Sequence, residues 1–123
     1  MTKRKKEIKE WEVINGSNNL IYFRYRPLYR TITGKMRDAV LLSRIMDLFS
    51  IHKKYKISRT DSKLRKDTSL TDYEIRKAKQ NLKTVPFLLI TKEGQPAKTH
   101  YSIDCVLYKE WLTRALNQKG NKV

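Results

Sequence analysis

Residues 60–103 read TDSKLRKDTSLTDYEIRKAKQNLKTVPFLLITKEGQPAKTHYSI. Thr60 is placed to cap a short helix through about Asp67, with Leu64 as its inward contact. Thr68-Ser69 makes a tight turn and Leu70 plugs it. Thr71-Asp72-Tyr73-Glu74 is a capping box: the Thr71 side chain takes the amide three residues on, and Glu74 reaches back. The second helix runs from there to Thr84 or Val85, and Pro86 stops it. Phe87–Thr91 and Lys98–Ile103 are β-prone runs, and Glu93-Gly94-Gln95-Pro96 supplies a turn between them. The order is therefore helix, turn, helix, hairpin.

At 100° per residue, Ile75, Ala78, Leu82 and Val85 fall within about 80° of one another and form the buried side of the second helix. Tyr73, Arg76, Lys77, Gln80 and Thr84 lie opposite. That outer face holds cations, an amide and hydroxyls, with no carboxylate. Arg can bond guanine bidentately and Gln can do so with adenine, while Thr and Tyr reach phosphates or thymine methyls. Asp72 and Glu74 stay near the N-terminus, where the helix dipole favours them. Residues 53–83 hold eleven cations against four carboxylates. The phosphate-contact candidates are Arg59, Lys63, Lys66, Lys83 and, on the hairpin, Lys92, Lys98 and His100. Lys92 and Lys98 are expected to straddle a phosphate or to enter the minor groove.

These residues resemble a family. Leu70–Leu82, followed by Ile90–Asp104, is similar to the winged-helix domains of phage and plasmid replication-initiation and replisome-organiser proteins. The most distinctive piece is Gly94-x-Pro96-Ala97-Lys98-x-x-Tyr101. The resemblance covers roughly residues 33–104. It departs after the second helix, where such domains usually carry a capping Gly and this chain has Thr84-Val85-Pro86. The resemblance implies an α+β winged helix-turn-helix, binding to double-stranded DNA, a bacterial mobile-element origin and a prokaryotic host cytoplasm. It does not choose between replication initiation and transcriptional regulation, nor among the replication or transcription proteins that would be partners.

The remainder of the chain supports a single domain. Its 123 residues suffice for one modest core. Lys+Arg is 28 and Asp+Glu is 12, a net charge of +16, which favours a polyanionic partner. Residues 1–19 read as a basic, flexible arm, 20–116 as the domain, and 117–123 as a polar, fraying tail. Leu20–Arg26 alternates, with Ile21, Phe23 and Tyr25 opposite Tyr22, Arg24 and Arg26; this predicts an N-terminal strand ended by Pro27. Thr33 is expected to cap a long helix from about Gly34 to His52. That helix is apolar on most sides (Met36, Ala39, Val40, Leu41, Leu42, Ile45, Met46, Leu48, Phe49), with Arg37, Arg44 and Asp47 as a narrow polar stripe. It reads as the core helix and as a candidate surface for a homodimer. Asp104 is expected to cap a C-terminal helix carrying Val106, Leu107, Trp111, Leu112 and Leu116, the alternative dimer surface.

Other chemistry finds little support. Cys105 is the one cysteine, so no intrachain disulfide forms, and it reads as a small, partly buried residue. His52 and His100 are far apart in sequence, and no metal-ligand spacing appears. No Gly-rich phosphate loop or acid/base pair is visible, so neither an enzyme nor a cofactor is expected. No apolar run spans a bilayer, so no membrane partner is expected. Two other functions remain open. Tyr22–Arg30 interleaves aromatics with arginines and is able to stack single-stranded nucleic acid or RNA. A protein–protein adaptor with a basic face is the third reading.

Overall fold

The computed structural model describes residues 23–121. The basic arm and the residues Leu20–Tyr22 of the expected strand lie outside them. The architecture is mixed: five helices and a three-stranded antiparallel sheet among the described residues. Helix α1 spans Leu28–Thr33 and α2 spans Met36–His52. Strand β1 (Lys56–Ser58) precedes α3 (Asp61–Thr68) and α4 (Asp72–Leu82). Strands β2 (Leu88–Glu93) and β3 (Lys98–Ile103) form a hairpin, and α5 spans Cys105–Asn121. The strand order is β1-β3-β2.

The core is built around α2. Leu41, Leu42, Ile45, Leu48 and Phe49 are buried there, against Leu64 of α3, Ile75, Ala78 and Leu82 of α4, and Ile57, Leu88 and Tyr101 of the sheet. Most of its apolar stripe is buried within the chain, while Met36 and Ile51 remain exposed. The residues of the narrow polar stripe are ion-paired within the chain. Arg44 is buried and its Nε donates to Asp67 Oδ2 at 2.9 Å. Asp47 accepts from Arg26 at 2.7 Å, and Arg37 donates to the fully buried Asp38.

The N-terminal part differs from its sequence reading. Phe23–Arg26 is not paired as a strand. Its backbone is satisfied by α2 instead: the Arg24 amide donates to Asp47 Oδ2 and the Arg26 amide to Ser43 Oγ. Pro27 does not end an element; it opens α1, where a fixed φ and a missing amide are both harmless. Tyr29 is buried, and Tyr25 packs against the core. The two hydroxyls of Tyr29 and Tyr108 lie 2.6 Å apart, and Tyr108 meets Phe87 edge-on. Thr33 closes α1 rather than starting α2: its hydroxyl donates back to Tyr29 O at 2.9 Å. Gly34 follows at φ 82°, a left-handed conformation that favours glycine, and its amide donates to Arg30 O. Lys35 is the extended residue before α2.

At the other end, Asp104 Oδ1 accepts from the amides of Val106 and Leu107, as a helix cap should. The helix it starts continues through Asn121 rather than stopping near Leu116, so most of the expected polar tail is helical. Cys105 is exposed, not partly buried.

Candidate functional site

The placement of α4 begins at its N-terminus. Both halves of the capping box form: Glu74 N donates to Thr71 Oγ1 at 3.1 Å, and Thr71 N donates to Glu74 Oε1 at 3.0 Å. Upstream, the Thr60 hydroxyl accepts from Lys63 N and starts α3. Between the helices, Ser69 sits at φ 62° and its amide closes on Arg65 O at 2.8 Å. Ile75, Ala78 and Leu82 then anchor α4 in the core. Two polar contacts fix its rotation. Asn81 Nδ2 donates to Asp38 Oδ2 at 2.9 Å, and Lys79 Nζ donates to Asp61 Oδ1 at 2.9 Å.

Helix α4 ends at Leu82, short of Thr84. The missing glycine is explained by the way it ends. Lys83 stays right-handed at φ −62°, and the amides of Thr84 and Val85 bond to Asn81 O and Leu82 O. The chain tightens instead of reversing through a left-handed residue, so no glycine is required. Val85 remains buried, as expected. Thr84 lies past the helix, with its hydroxyl on Asn81 O at 2.6 Å.

The outer face of α4 meets the hairpin across a groove of about 310 Å³. Arg76, Lys79, Gln80 and Lys83 line one wall; Ile90, Thr91, Lys92 and Thr99 line the other. No carboxylate among the described residues lines it. The sheet register explains why Lys92 is there. Lys92 pairs with Thr99 and Ile90 with Tyr101. Directly paired residues share a face, so Lys92 and Thr99 continue the core-facing side of the sheet past its apolar part. A second hollow at the α3–α4 turn is lined by Ser62, Arg65, Lys66, Ser69, Thr71, Tyr73 and Arg76, among others. Arg76 belongs to both.

Of the sequence-derived base-contact candidates, Arg76 and Gln80 lie in the groove. Tyr73 and Lys77 are exposed beside it, with Lys77 Nζ 5.6 Å from the Tyr73 ring centre. Among the phosphate candidates, Lys83 and Lys92 line the groove, Lys66 lines the second hollow, and Lys63 is exposed on α3. Three candidates stand elsewhere. Arg59 is locked onto the buried Asp67, with NH2 at 2.7 Å from Oδ2 and 2.9 Å from Oδ1. Lys98 and His100 face the opposite side of the sheet, because Lys98 pairs with Glu93 and His100 with Thr91. Lys92 and Lys98 therefore do not straddle a common phosphate.

The sequence reading missed Lys79 and Thr99. Arg76, Lys79, Gln80 and Lys83 are spaced i, i+3, i+4, i+7, and that stripe was available as a signal. Thr99 needed the hairpin register, which no local pattern supplies; Thr91 borders the groove, but its hydroxyl turns to Glu93 on the other face.

Among the described residues, no group of three or more His, Cys, Asp or Glu is placed to hold a metal ion. No helix among them is long and apolar enough to cross a membrane. Comparison with protein-family models, with curated proteins and with solved structures finds no match.

Proposed function

We propose that this chain is a winged helix-turn-helix protein that binds double-stranded DNA without catalysing a reaction. The observation that carries the reading is the groove between α4 and the hairpin, cationic and, among the described residues, free of carboxylates. In this reading α3–turn–α4 is the helix-turn-helix and α4 its recognition helix, lying in the major groove. Arg76 contacts guanine and Gln80 adenine. Tyr73 and Lys77 flank them on the exposed face. Lys83 and Lys92 hold phosphates from either side of the groove, and Lys63 and Lys66 extend the hold along α3. The β2–β3 hairpin is the wing. Support for that topology comes from the element order α2-β1-α3-α4-β2-β3 and from β1 pairing with β3 at the sheet edge.

The resemblance to phage and plasmid winged-helix domains makes replication initiation or transcriptional regulation the setting. One short helix reads few bases, so two copies on a repeated or palindromic site suit this size of protein. Most of the apolar stripe of α2 is buried in the core, and α5 exposes Val106 and Leu116, so α5 is the surface that joins the copies in this reading.

Titration of labelled duplex DNA, single-stranded DNA and RNA, each against unlabelled competitors, tests the reading. The duplex should bind most tightly. Its affinity should fall about tenfold or more between about 50 and 200 mM salt, as counterion release requires. Preference for a single strand would move the site elsewhere, and no binding by any of the three would favour an adaptor for an acidic protein.

A further inference from the structure

The opposite face of the sheet carries a second cationic surface that the α4 groove does not use. His52 and His100, distant in sequence, line one hollow of about 410 Å³ with Lys54, Lys56 and Ser58. His52 ends α2 and Lys54 lies in the connection to β1. Ser58 and His100 are direct partners across β1 and β3. Since Ile57 and Tyr101 turn into the core, their neighbours Lys56, Ser58 and His100 turn outward. A second hollow shares His100 and runs along the hairpin tip past Lys98 and Glu93. Three lysines and two imidazoles thus face one carboxylate. That carboxylate is already occupied: Glu93 accepts from Lys56 Nζ at 2.8 Å and from Thr91 Oγ1 at 2.6 Å.

We propose that this outer face is a second phosphate-binding surface, which takes the backbone of a separate nucleic-acid duplex so that one chain bridges two. Lysine ammonium groups, imidazole N–H groups and the Ser58 hydroxyl are the donors that phosphodiester oxygens accept from. The hollow is open rather than enclosed, which suits a backbone crossing it more than a buried small ligand. A duplex seated on α4 and Lys92 lies on the other side of the sheet, so it does not occupy these groups. The groups around the imidazoles are Lys54, Lys56 from β1, Glu93 from β2 and Lys98 from β3. Hydrogen bonding from Lys56 and Thr91 holds Glu93 below the usual carboxylate range, so it stays paired with Lys56.

A bridging assay tests this, and it rests on the duplex-binding reading only for its first step. Protein is bound to an immobilised random-sequence duplex, the excess is washed away, and capture of a second, fluorescent duplex is measured. The parent should capture it. Lys54→Glu/His100→Gln should lose the second capture while keeping the parent's affinity for the first duplex, which also shows that it folds. Capture by that variant at the parent's level would assign bridging to paired copies and overturn the proposal. Loss of both duplexes together would mean one continuous surface and also overturn it. Polyglutamate displacing the second duplex as well as free duplex does, charge for charge, would make the face a site for an acidic protein instead. If the α4 reading alone fails, one duplex should still bind, with Arg76→Ala neutral and Lys54→Glu/His100→Gln inactive. Binding that this double variant leaves intact would sink the outer face in that case too.

Discussion

Two sets of arginines and lysines sit on either side of α3 and α4, and they are used in opposite ways. On the α2 side, Arg44 and Arg59 converge on Asp67, whose side chain is 1% exposed. On the hairpin side, Arg76, Lys83 and Lys92 surround a groove that no carboxylate among the described residues lines. The first set holds α2, α3 and the strand before α3 in one frame. The second, in the proposed reading, serves a partner outside the chain. A cation's role is set by whether the fold delivers a carboxylate to it.

The largest effect should come from the frame. Asp67→Ala leaves Arg44 buried without a counter-charge, and breaking a buried pair of this kind costs about 3–5 kcal/mol. Denaturant unfolding should show that loss. If Asp67→Ala unfolds at the parent's midpoint, the frame and the groove are not different in kind.

The frame should also be sensitive to alkali. Burial, reinforced by the Tyr108 hydroxyl, raises the pKa of Tyr29; burial raises that of Tyr101, whose hydroxyl has no hydrogen-bond partner among the described residues. A raised acid stabilises the fold below the unfolded chain's value and loses that contribution as pH climbs above it. Stability should therefore hold up to about pH 10 and decline beyond it, as the unfolded tyrosines ionise first. Urea midpoints followed across that range for the parent and for Tyr29→Phe should show the decline flattened in the variant.

On the other side, Arg76→Ala or Gln80→Ala should leave stability nearly unchanged. Each should cost about 1–3 kcal/mol in binding the preferred duplex and should relax sequence preference. Lys92→Ala should weaken all duplexes alike. The smallest effect expected is on the joint between the two regions. Thr71→Ala removes half of the capping box and should cost about 1 kcal/mol in stability, read by thermal or urea unfolding.

The part of the fold that was legible is the part encoded locally. Thr60, Thr71 with Glu74, Pro86 and Gly94 each mark a boundary by their own chemistry, and the helices and hairpin fall between them. Residues 23–26 were misread because alternation there is real but meets no partner strand among the described residues. Asp47 and Ser43 on α2 satisfy that backbone, and nothing in the neighbouring sequence announces them. Pro27 and Gly34 were informative, yet as start and stop of a short helix rather than as the end of a strand. The site was legible along α4 because helical spacing alone assembles Arg76 and Gln80. It was not legible across the hairpin. Which of Lys92 and Lys98 joins α4 depends on a one-residue choice of register, and Arg59 was misplaced because its partner Asp67 meets it only in the folded chain.

The central claim is that the free cations and amide of α4 read duplex DNA. Selection of bound sequences from a random duplex library, run in parallel with the parent and Arg76→Ala, tests it most directly. The parent should enrich a defined motif, and the variant should enrich the same motif with one base position relaxed. No enrichment by the parent, or an unchanged motif in the variant, would contradict it.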